Sequence, residues 1–194
     1  MKYKLVLLSI ISITIAGCAA PNIKPGDTSL SDDEGILLTR IHTNATNLHA
    51  NLQTDGSMIY TEFSPIESPI DFRAIKIKAG KGSIYRISRG VLEIWRKTED
   101  HFFIEPGKIN YIGDFIIEWV DINGRLGIIS GHINNENETI KIAKEIYPEL
   151  FREHEYVNNT PALTIDKIYN KKELEYLSLK PLPPMIYTPT ISPK

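Results

Sequence analysis

Residues 101–133 read HFFIEPGKINYIGDFIIEWVDINGRLGIISGHI, and the period of this stretch decides the fold. Pro106-Gly107 marks a turn. From Ile109 onward, Tyr111, Gly113, Phe115, Ile117 and Trp119 fall on one face of an extended chain. Asn110, Asp114 and Glu118 fall on the other face, with Ile112 and Ile116 among them. Asn123-Gly124 tolerates positive φ at both positions, a strong signal for a two-residue hairpin. RLGIISGHI is therefore predicted to return antiparallel beside the outgoing strand.

The same period runs upstream. GILLTRIHT (35–43) is an apolar, β-branched run, and Leu48, Ala50 and Leu52 alternate with polar residues in NLHANLQ. SMIYTEF follows, then a Ser/Pro-rich loop, SPIESP. In FRAIKIKAG, Ile75, Ile77 and Ala79 face one way and Lys76 and Lys78 the other. GKGS is read as a tight turn into IYRIS, and GVLEIWRK as another strand ended by the charged TED. Short strands at this spacing predict a mainly β protein, an antiparallel sandwich or barrel, with a β-sandwich over residues 35–134 as the expected form.

Beyond Ile133 the period becomes helical. In NNENETIKIAKEIYPELFREH, Ile142, Ala143, Ile146 and Leu150 share one face of a C-terminal amphipathic helix. Asn137 or Thr139 is placed to cap it, and Pro148 to end it or to open a second turn at PELF. Residues 135–179 read as a helical extension, within which PALTIDKIYNKKELEYLSL adds a short strand or helix. The tail, 180–194, holds five prolines and is expected to be disordered.

The N-terminus carries an address. Lys2 and Lys4 precede the apolar run Leu5–Ile15, which is shorter than the roughly 20 residues a membrane-spanning helix needs. Small residues follow, then Cys18, the only cysteine in the chain. This is the layout of a secretory signal over residues 1–17. Ile15-Ala16-Gly17-Cys18 resembles the lipobox of bacterial lipoproteins at every position. The resemblance implies a diacylglycerol on the Cys18 thiol, cleavage between Gly17 and Cys18, and a fatty acid such as palmitate on the new amino group. Each buried methylene contributes roughly 0.8 kcal/mol, so two or three acyl chains hold a protein on a membrane without a spanning helix. Residues 18–34 read as a lipidated flexible tether. Ala19, rather than Asp, after the cysteine implies the periplasmic face of the outer membrane in a Gram-negative host. In a Gram-positive host it implies the outer face of the single membrane.

FFIEPGKINYIGDFII also resembles a motif of uncharacterised bacterial envelope lipoproteins with a sandwich like the carboxypeptidase-regulatory or transthyretin-like domains. That resemblance spans roughly residues 35–150 and implies architecture without chemistry.

No reaction is legible. The chain has 24 acids against 22 Lys and Arg, two of them in the leader, so the remainder carries a net charge of −4 and shows no basic face for nucleic acid. One cysteine allows no intramolecular disulfide. His42, His49, His101, His132 and His154 show no metal-ligand spacing, although His42 and His132 are placed to lie on adjacent strands, and His154 sits between two glutamates in REHEY. AGKGS resembles a phosphate loop only faintly because it joins two strands, and DINGR is explained by the Asn-Gly turn. No GxSxG elbow occurs. The acid pairs Glu62/Glu67 and Asp114/Glu118 read as surface decoration. Trp95, Trp119, Tyr85 and Tyr111 read as core, with a glycan platform as the alternative. The expectation is a non-catalytic envelope lipoprotein that needs no cofactor or metal and engages an envelope protein. The alternative is a small-ligand or glycan-binding module on the membrane surface.

Overall fold

The computed structural model describes residues 22–57, 61–66, 70–96, 101–122 and 125–162. The chain runs β1 (Glu34–Thr43), β2 (Leu48–Thr54), β3 (Thr61–Ile66), β4 (Ile70–Lys78), β5 (Gly80–Arg89), β6 (Leu92–Trp95), β7 (Phe102–Ile104), β8 (Ile109–Tyr111), β9 (Asp114–Ile122), β10 (Arg125–Ile133), α1 (Glu136–Ile146), α2 (Pro148–Glu153) and β11 (Tyr156–Asn158). Two sheets pack face to face, and the helices cover the outer face of one of them. Cys18 and the residues before it, the Asn123-Gly124 pair and the proline-rich tail lie outside the described residues.

One sheet is antiparallel throughout. It runs β3-β2-β5, and both β6 and β7 line the far edge of β5. The other sheet is mixed, unlike the wholly antiparallel sandwich the alternation suggested. β1 pairs antiparallel with β4 along its length, from Glu34↔Lys78 to His42↔Ile70. On its other edge β1 runs parallel first to β8 and then to β9. β11 adds in parallel to β8, so the sandwich continues past residue 134. β9 and β10 form the expected antiparallel pair, with Ile122 opposite Arg125 and two residues left to join them.

β1 is the middle of the mixed sheet, and its composition explains why. Every residue from Gly35 to Ile41 is buried. A strand covered on both faces requires a near-continuous apolar run. Leu37 and Ile41 point into the core between the sheets, with Phe63, Phe102, Phe115 and Trp119. Ile36 and Leu38 point the other way, into a second core with Tyr111, Ile140, Ala143, Tyr147 and Leu150 beneath the helices. Each fully buried side chain of this size contributes roughly 1.5–3 kcal/mol.

Three local expectations change. GKGS is no hairpin turn: the chain passes from β4 in one sheet to β5 in the other at Ala79, and Gly80 to Ser83 already belong to β5. The corner is fixed by Asp55, whose Oδ1 accepts the Lys81 backbone N–H at 2.8 Å. The helix start lies at Asn135, with no side-chain cap bond; Glu136 and Glu138 in the first turn suit the helix dipole instead. Pro148 occupies the first turn of α2, where its missing N–H costs nothing.

Residues 22–33, read as part of a flexible tether, are laid along β4. The Ile23 N–H donates to Ala74 O at 2.8 Å, and the Asn22 side chain bonds Phe72 O and the Ala74 N–H. Ile23 is buried in the core under the helices. The two lysines on the polar side of β4 close on this segment, Lys76 on Asp27 at 2.7 Å and Lys78 on Asp33 at 2.6 Å. The segment thereby covers an edge that would otherwise expose unpaired backbone groups. Both ring nitrogens of His154 lie against backbone carbonyls, Thr28 O at 2.7 Å and Gly107 O at 3.0 Å, so the end of α2 holds the same segment in place.

Candidate functional site

The most concentrated polar chemistry surrounds Asp114, at the start of β9. The chain bends between β8 and β9 at Gly113, whose φ is +83°. The bend reverses the alternation of faces. Tyr111 and Asp114 therefore share the helix side of the sheet, while Phe115, Ile117 and Trp119 turn into the core between the sheets.

Asp114 is fully buried and accepts five hydrogen bonds. Its Oδ2 takes Arg40 Nε at 2.9 Å, Arg40 Nη2 at 2.7 Å and His42 Nε2 at 2.9 Å. Its Oδ1 takes the Thr139 hydroxyl at 2.6 Å and the Tyr111 hydroxyl at 3.1 Å. Arg40 also reaches Glu138 Oε2 at 3.2 Å, and the Tyr111 oxygen accepts the Asn135 N–H at 3.0 Å. One carboxylate thus ties β1, β8, β9 and α1 together. Burial pushes its pKa up, but His42, Arg40 and Thr139 outweigh that and hold it below the ordinary carboxylate value. Arg40 is raised: burial works against its charge, and Glu138 and Asp114 overcome it. Burial, with the Asp114 charge, pushes Tyr111 well above its ordinary value. A carboxylate with this many donors has no lone pair left for a substrate, and its chemical role is to bolt elements together.

Glu118 lies two strand repeats beyond, on the same side of β9. Its Oε2 is buried and has no hydrogen-bond partner. Burial raises it to about 7, against a smaller opposing effect of His42. His42, whose Nε2 lies 2.9 Å from Asp114 Oδ2, is itself partly exposed. The pair Asp114/Glu118 is thus one buried anion and one acid that titrates near neutrality, not surface decoration. Periodicity missed this because it carried the alternation straight through Gly113. The glycine inside an apolar-aromatic run was the available signal.

The other sequence candidates scatter. β9 lies between His42 and His132, so these are not on adjacent strands: both His42 and Gly131 pair with Ile116, whereas His132 pairs with Phe115. His132 is buried between the Phe115 and Phe102 rings, at 5.0 and 6.2 Å. His49 Nδ1 meets Glu62 Oε1 at 2.6 Å on the outer face of the antiparallel sheet, and Glu67 lies outside the described residues. Among the described residues no three His, Cys, Asp or Glu side chains converge as metal ligands would.

The four aromatics divide. Trp119 and Tyr111 are buried, on opposite sides of their sheet. Trp95, on the edge strand β6, is 64% exposed. Tyr85 lies 5.8 Å from it, centroid to centroid, and the Arg86 guanidinium 5.6 Å from its ring. Arg86 is held by Glu93. The arrangement offers a flat, polarisable surface with a fixed cation beside it.

No helix among the described residues is long and apolar enough to cross a membrane. No protein-family model matches the chain, and no curated protein matches it.

Proposed function

We propose that this protein is a lipid-anchored lipoprotein of the bacterial cell envelope, whose sandwich serves as a non-catalytic interaction module for an envelope protein. The observation that carries the reading is the spacing between the lipobox cysteine and the fold. Cys18 precedes Asn22, already bonded to β4, by four peptide steps. At full extension four steps span at most about 14 Å. Acyl chains on Cys18 therefore hold the β4 edge close to the lipid headgroups. The saturation of Asp114 supports a structural rather than a catalytic use of the most polar region.

Mass spectrometry of the native protein tests the anchor directly. The expected species begins at Cys18 and carries diacylglyceryl and amide-linked acyl masses, and Cys18→Ser moves the protein from the membrane to the soluble fraction. A Cys18→Ser protein that stays with the membrane overturns the anchor. Affinity capture from detergent-solubilised envelopes should retain one defined envelope protein.

The second reading, a ligand- or glycan-binding module on the membrane surface, is favoured by the exposure of Trp95 beside Tyr85 and Arg86. Quenching of tryptophan fluorescence on adding an oligosaccharide, lost in Trp95→Phe, supports that reading. Since Trp119 is buried, any ligand response reports Trp95.

A further inference from the structure

A hollow of about 370 Å³ opens at the far end of the same sheet edge, between β7 and the residues that follow β11. Its floor is Phe102, whose ring lies so close over Gly82 that a Cβ there would come within 2.4 Å of Cε2. One wall is Phe103, 51% exposed. Lys81, His101, Asn158 and Thr160 also line the hollow. Lys81 is the lysine of the AGKGS run; its backbone N–H fixes the β4–β5 corner, and its side chain takes no part in the Asp114 network.

We infer that this hollow binds an acidic sugar residue of an oligosaccharide. The size suits one sugar ring, near the lower end of ligand pockets and too small for a stretch of peptide. A half-exposed phenyl face is what the C–H face of a sugar stacks on. Thr160 Oγ1 donates to Asn158 Oδ1 at 2.7 Å and keeps lone pairs to accept a sugar hydroxyl. Asn158 Nδ2 gives one hydrogen to Glu136 Oε2 at 2.6 Å and keeps the other to donate. The charge selects an acid: among the described residues Lys81 and His101 line the hollow, no Asp or Glu lines it, and no acidic side chain pairs with the Lys81 ammonium. A carboxylate or phosphate on the ring completes that pair with a charge-assisted bond. This inference deepens the second reading, of the body as a ligand-binding module, and is independent of the anchor.

The test is calorimetric titration of the full chain, in a detergent without a sugar headgroup, with trigalacturonate, the matched neutral trisaccharide and tetraglutamate. Trigalacturonate should bind, and the neutral sugar should bind at least about tenfold more weakly, the value of one charge-assisted hydrogen bond. Lys81→Ala and Phe103→Ala should each weaken trigalacturonate about tenfold, with Lys81→Arg retaining most of the affinity. Val91→Ala, at an exposed site in the β5–β6 turn, should change nothing. Both tested side chains sit on the surface, and unchanged circular dichroism establishes that the variants fold. Equal binding of the neutral sugar, or tighter binding of tetraglutamate, overturns the inference. If trigalacturonate binds and only Trp95→Ala weakens it, the hollow is wrong and the module reading stands. If no sugar binds, both fall.

Discussion

Asp114 shows how much one side chain can hold at the residue scale. Its removal leaves Arg40 buried with only Glu138, itself largely exposed, as an anionic partner. Breaking a buried pair from one side costs about 3–5 kcal/mol, so Asp114→Ala should lower stability by about 3 kcal/mol in urea unfolding. Asp114 and Glu118 also act in opposite directions with pH. The depressed carboxyl of Asp114 contributes stability that is present above its ordinary value of 3.8 and is lost as pH falls through its lower folded value. Glu118 is raised from 4.5 to about 7, so its contribution is present below 4.5 and is lost as pH rises toward 7. The urea midpoint should therefore decline between pH 4.5 and 7. Glu118→Gln, which keeps the neutral shape at every pH, should flatten that decline and leave the protein more stable than wild type at pH 8. An unchanged slope in Glu118→Gln would place the titrating group elsewhere.

Among the elements, the bend between β8 and β9 decides which residues meet. Gly113 has a positive φ, and a Cβ there would lie 3.0 Å from Thr160 Cγ2 and 3.1 Å from Ile133 O. Gly113→Ala adds backbone strain of order 1–3 kcal/mol and should loosen α1, whose Thr139 reaches Asp114 only while the bend holds. Faster amide exchange in Glu136–Ile146 than in β2 would register that loosening. The bend also marks the limit of what alternation can tell. The apolar run of β1, the alternation in β2, the β9–β10 pairing and the existence of a helix after Ile133 all follow from residue period, and the structure contains them. But α1 buries Thr139, Ile140 and Ala143 and leaves Ile146 exposed, and Leu150 lies in α2, so the expected face of Ile142, Ala143, Ile146 and Leu150 is not the one that packs. Period carries no sign for strand direction, so the parallel pairing of β1 with β8 and β9 was not legible. His42 meets Asp114 only through that pairing, across 72 positions of sequence. Lys81 and His101 were visible as residues, but their convergence with Asn158 needs β5, β7 and β11 in place together.

For the molecule as a whole, the segment before β1 is part of the body. Ile23 is 6% exposed, and its neighbours bond β4 on both polar and apolar sides. A chain starting at Asn22 should melt as one starting at Cys18 does. One starting at Glu34 loses Ile23, the edge cover of β4 and the His154 contact to Thr28. Burial of one isoleucine alone is worth roughly 2 kcal/mol, which for a domain of this size lowers the melting temperature by about 4–8 °C. Equal melting temperatures for the two truncations would show that the segment contributes nothing. Asn22, bonded to β4, also lies only four residues after Cys18, so under the proposed lipid anchor the body would have little slack and few orientations.

The central position of β1 bears on the order of assembly. The first strand made must wait for β8 and β9, whose pairing residues lie more than 70 positions downstream, and for the helices that seal its other side. Such distant partnerships close slowly, because the intervening chain must be confined before any contact rewards it. The mixed sheet therefore cannot form on a half-synthesised chain. Under the proposed envelope location, the chain would cross a translocation channel as a thread and meet the same requirement, to stay open until its last third has passed through.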